Sequence, residues 1–156
     1  HINDYQLYDY DSCRFYCCSS GNSYLGLSIA NYVFGNKNEV VGVAPIRFKD
    51  AGLSDVASSR SEMLQHRLAG FSELANYDFL AKIGKIEIDE SFVGPGYGKP
   101  SEETKESAQL LAKLEGVLLD HTYTAKAMAR LIFDLKNSKV HIPILFWHSG
   151  GVSNAI

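Results

Sequence analysis

The chain has 156 residues, 46% of them hydrophobic and 21% charged, with 15 Lys and Arg against 18 Asp and Glu for a formal net charge of −3. That is enough for one domain with a real core, and the acidic balance, with no basic patch or arm, argues against a nucleic-acid partner. No apolar run approaches the roughly 18 residues that a bilayer span requires, so no membrane partner is expected.

The N-terminus is acidic and tyrosine-rich, without the charged-then-apolar pattern of a signal peptide. The chain opens on His1 rather than Met, with a strand-like run already at Arg14, which reads as a piece of a longer chain. Cys13, Cys17 and Cys18 are odd in number and crowded. A disulfide framework needs better-spread cysteines, and a metal site would need ligand partners that are not nearby. Reduced, buried thiols of a cytoplasmic protein are expected. His66, His141 and His148 show no metal-ligand spacing.

Arg14 to Cys18 reads as a short strand, followed by the Ser19-Ser20-Gly21-Asn22-Ser23 loop and a helix over Tyr24 to Phe34, ended by Gly35. Glu39 to Ala44 is the next strand, rich in β-branched residues. Ser54 to Asn76 carries helical periodicity through Met63, Leu64, Leu68, Phe71 and Leu74. Lys85 to Ile88 alternates like a short strand or edge. Ser101, with Glu102 and Glu103 behind it, opens a helix whose buried side is Ala108, Leu111 and Ala112. Thr122 to Asn137 is the last helix, with an apolar stripe of Met128, Leu131, Ile132 and Leu135. Ile142 to Trp147 is a continuous apolar run, as expected of a strand buried on both faces. Alternation of this kind predicts an α/β fold with a mainly parallel sheet and helices on both faces. Ligands of such folds bind at the carboxyl ends of the strands, where both Gly/Ser loops, 19–23 and 148–151, fall.

The 19–23 loop offers a phosphate free N–H groups, a helix N-terminus and the hydroxyls of Ser20 and Ser23. Taken alone, it is more simply an ordinary βα turn capped by serine. His148-Ser149-Gly150-Gly151 is equally a turn or a second ligand loop. Tyr97 stands between glycines in the stiff stretch Val93 to Pro100, and Tyr123 stands at a helix entrance, where backbone donors would lower the pKa of a nearby phenol. Each phenol can donate or accept a proton; each is equally a packing tyrosine. Lys99 and Lys126 are conceivable Schiff-base lysines, but solvated surface positions are the simpler expectation. Asp120 and His121, as sequence neighbours, do not read as a catalytic pair.

Four blocks carry a family resemblance by their order and spacing: FVGPGYGKP from Phe92, LLAKLEGVLLD from Leu110, YTAKAMARLI from Tyr123, and HSGG from His148. Together they resemble the C-terminal half of D-cysteine desulfhydrase and 1-aminocyclopropane-1-carboxylate (ACC) deaminase, pyridoxal-phosphate enzymes of the tryptophan synthase β-subunit fold type. The segment SSGNSYLGL is similar to the family's phosphate loop, though less closely, and 45–82 contributes little.

The resemblance implies that residues 1–156 form one partial domain, part of the large domain of such an enzyme. Ser20, Gly21, Asn22 and Ser23 would bind the cofactor phosphate, with Ser149 and Gly150 also at the cofactor. Thr124 and Ser149 would lie near its pyridine nitrogen. Tyr97 and Tyr123 would line the substrate side, one acting in proton transfer or as a nucleophile. The ACC deaminase branch has a glutamate where Thr124 stands, so the implied function is D-cysteine desulfhydrase-like: β-elimination from a small amino acid to a 2-oxo acid, ammonia and sulfide. A hydroxyl leaves the pyridine nitrogen closer to neutral than a carboxylate would, which suits a good leaving group such as thiolate.

The implied parent is a homodimer. ACC deamination and a non-catalytic truncated paralogue or binding module remain the alternatives. The family usually has glycine at Ser19 and Asn22, so side chains there would crowd a phosphate. It usually has proline at His121, so the helix entrance would be less rigid here. Its Schiff-base lysine belongs to an SGNK-like motif absent from this sequence. The chain alone is therefore expected to show no turnover, and half of a parallel sheet would leave an unpaired edge.

Overall fold

The computed structural model describes residues 12–137 and 142–150. The tyrosine-rich N-terminus, His141 and Gly151 lie outside the described residues. The elements run β1 (Arg14–Cys18), α1 (Asn22–Val33), β2 (Glu39–Val43), a 3-10 turn (Phe48–Asp50), α2 (Arg60–Ala75), α3 (Phe79–Ile83), β3 (Ile88–Asp89), α4 (Glu102–Glu115), α5 (Thr124–Asn137) and β4 (Ile144–Trp147). The four strands are all parallel, in the order β3-β2-β1-β4. The expected α/β class therefore holds.

Alternation along β1 divides the core. Cys17 faces a cluster with Tyr24 and Leu25 of α1, Met63, Leu64 and Leu68 of α2, and Phe79 of α3. Tyr16 faces the other way, with Ala108 of α4 and Ala125, Met128 and Leu131 of α5. Helices thus cover both faces. At Gly42 in β2 the first of these layers comes very close: an added Cβ would stand 2.7 Å from Tyr24 Cδ2 and 3.0 Å from Ile88 Cγ1. Tyr16 Oη also donates to Asp134 Oδ2 at 2.8 Å. Arg130 holds that carboxylate from the same helix and pairs with Asp89 at the end of β3.

Several expectations shift. The helix expected from Ser54 begins only at Arg60, because Ser59 Oγ accepts the Glu62 N–H at 3.2 Å and caps it there. Phe71 and Leu74 are exposed, Leu74 at 87%, so the buried stripe of α2 is narrower than the periodicity suggests. Leu135 is likewise exposed on α5, whose buried side takes Lys126 and Asp134 instead. Strand β3 is displaced from Lys85–Ile88 to Ile88–Asp89. Strand β4 is not buried on both faces: it is half-buried, at the edge of the sheet among the described residues, with Trp147 41% exposed. An apolar run does not say whether its strand has one neighbour or two. Cys17 and Cys18 are buried and Cys13 half-buried, all as free thiols; burial pushes Cys17 up to about 12 and Cys18 higher. No helix among the described residues is long and apolar enough to cross a membrane.

Candidate functional site

The parallel register brings the carboxyl ends of β2, β1 and β4 side by side, with Val43 opposite Cys18 and Trp147 opposite Cys17. The loops 19–23 and 148–150 therefore leave adjacent strands in the same direction. Ser19 N donates to Val43 O at 2.9 Å, which fixes the root of the first loop. Its side chain turns inward: Ser19 Oγ accepts the N–H groups of Gly21 at 3.0 Å and Tyr24 at 3.2 Å. Asn22 turns sideways, its Oδ1 accepting from Arg67 Nη1 at 2.8 Å. Both side chains are thus engaged in hydrogen bonds within the protein. Ser20, Asn22 and Ser23 are exposed and Gly21 is buried. The N–H groups of Ser20, Asn22 and Ser23 and the hydroxyls of Ser20 and Ser23 meet no acceptor among the described residues, so the loop and the first turn of α1 keep a set of donors suited to an anion. Arg67, which no motif singled out, adds a guanidinium beside this loop.

In the second loop, Ser149 is exposed and Gly150 N donates to His148 Nδ1 at 3.3 Å. His148 Nε2 lies 3.2 Å from Leu118 O, which ties the loop to the segment before α5.

That segment ends in Asp120, a fully buried carboxylate and the anchor of the helix entrance. Its Oδ1 accepts from Thr122 N at 3.0 Å and Tyr123 N at 2.7 Å; its Oδ2 accepts from Thr124 N at 3.0 Å and Thr124 Oγ1 at 2.7 Å. Thr124 Oγ1 in turn accepts the Asp120 N–H at 3.0 Å, a reciprocal cap. Rigidity that a proline at His121 would have provided comes here from Asp120, whose signal in the sequence was only an acidic residue ahead of a helix. Thr124 is buried, with its single proton given to Asp120; it has at most one lone pair left for a ligand.

Tyr123 is held by this cap and packs beside Cys18, Val43, Ala127 and Phe146, at the ends of β1, β2 and β4. Tyr97 arrives from the turn after Val93. The two rings meet edge to face, with centroids 5.9 Å apart at 77°, and their hydroxyls share a hydrogen bond. Phenols 26 positions apart in sequence are thus one pair. The bond to Tyr97, together with burial, pushes Tyr123 up to about 12, opposite to the lowering expected from the helix end. Tyr123 therefore keeps its proton at neutral pH, and the pair retains one hydroxyl proton beyond the shared one to give to a ligand.

Lys126 overturns its expectation as a solvated lysine. It is 0% exposed, and its Nζ donates to Pro45 O at 2.8 Å and Gly96 O at 3.0 Å. Burial lowers its pKa. Lys99 is exposed, as expected. Arg60, also missed by sequence reasoning, is buried at the same edge, where it joins three strand ends: it donates to Ser20 O at 3.0 Å, Ile46 O at 2.6 Å and Glu90 Oε1 at 2.6 Å.

Two polar loops and a phenol pair thus stand at the carboxyl edge of a parallel sheet, and the class is that of an α/β protein of parallel-sheet fold, in which ligands bind at that edge. No family model matches the chain. Among solved structures, it is similar to one described as the crystal structure of an ACC deaminase homologue, with a TM-score of 0.70 and 25% sequence identity over 98% of this chain. The chain spans 43% of the length of that structure.

Proposed function

We propose that the chain carries the large-domain part of a pyridoxal-phosphate site, in an enzyme that eliminates or deaminates small amino acids in the manner of D-cysteine desulfhydrase. The observation that carries this reading is the Tyr97–Tyr123 pair at the sheet edge, on a fold similar to that of an ACC deaminase homologue. The loop chemistry fits the cofactor: unused N–H groups and hydroxyls at Ser20, Asn22 and Ser23 suit its phosphate, with Gly21 in the wall behind them. Ser149, whose hydroxyl meets no partner among the described residues, suits the pyridine nitrogen better than Thr124, which has given its proton to Asp120. Gly150 supports that loop. When bound, pyridoxal phosphate supplies an electron sink that acidifies the substrate α-carbon. Tyr97 and Tyr123 then present a protonated pair to the substrate side, suited to giving a proton to a departing group. A hydroxyl rather than a carboxylate at the pyridine nitrogen favours elimination of thiolate from D-cysteine over ring opening of ACC.

We propose also that residues 1–156 are part of a larger domain and that the parent acts as a homodimer. The greater length of the similar structure and the half-covered edge at β4 support the first of these.

Titration of the purified chain with pyridoxal phosphate, followed by cofactor fluorescence, tests the site. Binding that inorganic phosphate competes away, and that Ser20→Ala with Ser23→Ala weakens, is expected. Absence of binding in both the chain and its full-length parent would overturn the reading. With the parent, release of sulfide and 2-oxo acid from D-cysteine, diminished by Tyr97→Phe or Tyr123→Phe while cofactor binding persists, tests the reaction; activity on ACC alone would replace it with the deaminase. A non-catalytic binding module is the second reading. It is favoured by Ser19, whose hydroxyl already takes two of the donors at the loop, and it predicts cofactor binding without turnover in the parent.

A further inference from the structure

The turn that carries Tyr97 has little packing of its own. Tyr97 is 53% exposed, and Gly98 and Lys99 are exposed beside it. Yet its ring meets Tyr123 in a defined geometry. Two cations from outside the turn donate to its backbone. Arg47, four residues past β2, donates from Nη2 to Gly94 O at 2.6 Å. Lys126 donates from Nζ to Gly96 O at 3.0 Å and to Pro45 O at 2.8 Å. The two carbonyls they hold lie three residues and one residue before Tyr97. Gly94 itself has φ of +70°, and an added Cβ there would stand 3.1 Å from Ser101 Cβ.

Lys126 lies in the first turn of α5, three residues beyond Tyr123, so the helix and its entrance carry one phenol and the restraint on the other. The restraint is costly. A buried ammonium gives up its hydration, and Lys126 recovers this through two neutral carbonyls; among the described residues it has no carboxylate partner in an ion pair. An apolar side chain of similar volume often serves stability as well as a buried charge or better. Packing alone therefore does not explain a lysine here, whereas pinning a carbonyl that only a donor can hold does.

We propose that Arg47 and Lys126 form a two-cation clamp that positions Tyr97 against Tyr123. They act through Tyr97 and are positioning residues. The proposal rests on reading the two phenols as the working wall of the site, but its test needs neither cofactor nor turnover.

Tyrosine labelled with 13C at Cζ gives one NMR signal per phenol, sensitive to hydrogen bonding at the hydroxyl. In the full chain, Tyr123→Phe should displace the Tyr97 signal and Tyr97→Phe the Tyr123 signal. In Lys126→Met this reciprocity should be lost, with the Tyr97 signal at the position of a solvent-exposed tyrosine and the Tyr16 and Tyr24 signals unmoved. Arg47→Met should weaken the reciprocity, and Arg47→Lys should restore part of it. If Lys126→Met does not fold, the Arg47 variants decide. Reciprocity retained in every folded clamp variant overturns the proposal, as does its absence from the unsubstituted chain. Reciprocity that depends on the clamp, in a chain and parent that bind no pyridoxal phosphate, would retire the functional reading and leave the clamp standing.

Discussion

Replacing Asp120 with Asn keeps the size of the side chain and exchanges one carboxylate oxygen for an amide NH2. Each oxygen of Asp120 receives two protons: Thr122 N–H and Tyr123 N–H on Oδ1, Thr124 N–H and the Thr124 hydroxyl on Oδ2. Whichever way the amide turns, its NH2 faces donors. In the better orientation it replaces Oδ2, where the Thr124 hydroxyl can rotate to accept but the Thr124 N–H cannot. One buried N–H left without an acceptor costs about 1–3 kcal/mol, and the two remaining bonds lose their charge assistance, about 1 kcal/mol in all. The expected loss is about 2–4 kcal/mol, a large part of a stability that is typically about 5–15 kcal/mol. Asp120→Ala removes every acceptor and should cost more than Asp120→Asn. Urea denaturation followed by far-UV circular dichroism measures both, with the m-value unchanged if only the native state is affected. Thr124→Val removes the other half of the reciprocal cap, so the double variant Asp120→Asn/Thr124→Val should cost less than the sum of the two. A loss for Asp120→Asn within about 0.5 kcal/mol of zero, the range of an ordinary surface change, would refute the account of how Tyr123 is anchored.

Gly42→Ala should destabilise by about 1–3 kcal/mol, because the Tyr24 ring must move out of the way of the new methyl group; the same urea assay reads it. Arg60→Met should cost on the order of 3 kcal/mol, since it leaves two strand-end carbonyls and Glu90 without their buried donor, and it should loosen the 19–23 loop enough to speed amide exchange there. Burial and the bond to Asp134 push Tyr16 up to about 12, and the bond to Tyr97 does the same for Tyr123. Both shifts favour the protonated phenol in the folded state, so their stabilisation is complete below about pH 10, the ordinary tyrosine pKa, and is lost as the pH rises toward 12. Denaturation midpoints should fall across that window, and less steeply in Tyr16→Phe; an unchanged slope would count against the buried Tyr16–Asp134 bond.

The strand and helix order was legible because periodicity and caps are local signals. Arg14–Cys18 stands as read, and Ser101 caps α4 through the Thr104 N–H as its position suggested. Local signals fail where elements are short: α3, with five residues, is too short to show a period and was missed, and β3, with two, was read at Lys85–Ile88 rather than Ile88–Asp89. Burial misled at Lys126 and Arg60, since a cation in sequence reads as solvated and nothing local reveals that carbonyls from distant strand ends will converge on it. The two tyrosines were legible as candidates but not as a hydrogen-bonded pair. Their contact spans 26 residues and depends on Lys126 and Asp120, neither of which was read in that role.

The four groups that shape this edge are all ionic: Asp120 caps the helix entrance, Lys126 and Arg47 hold the Tyr97 turn, and Arg60 ties the strand ends beneath the 19–23 loop. Three of them are buried. Replacing Asp120 or Arg60 alone strands the buried groups that they serve, so these charges contribute to stability as well as to geometry. Among their bonds are those to main-chain groups at or within three residues of Tyr97, Tyr123 and Ser20. The Lys126 and Asp120 variants are therefore more informative than changes to the tyrosines themselves: they leave both phenols in the chain and act on the order between them.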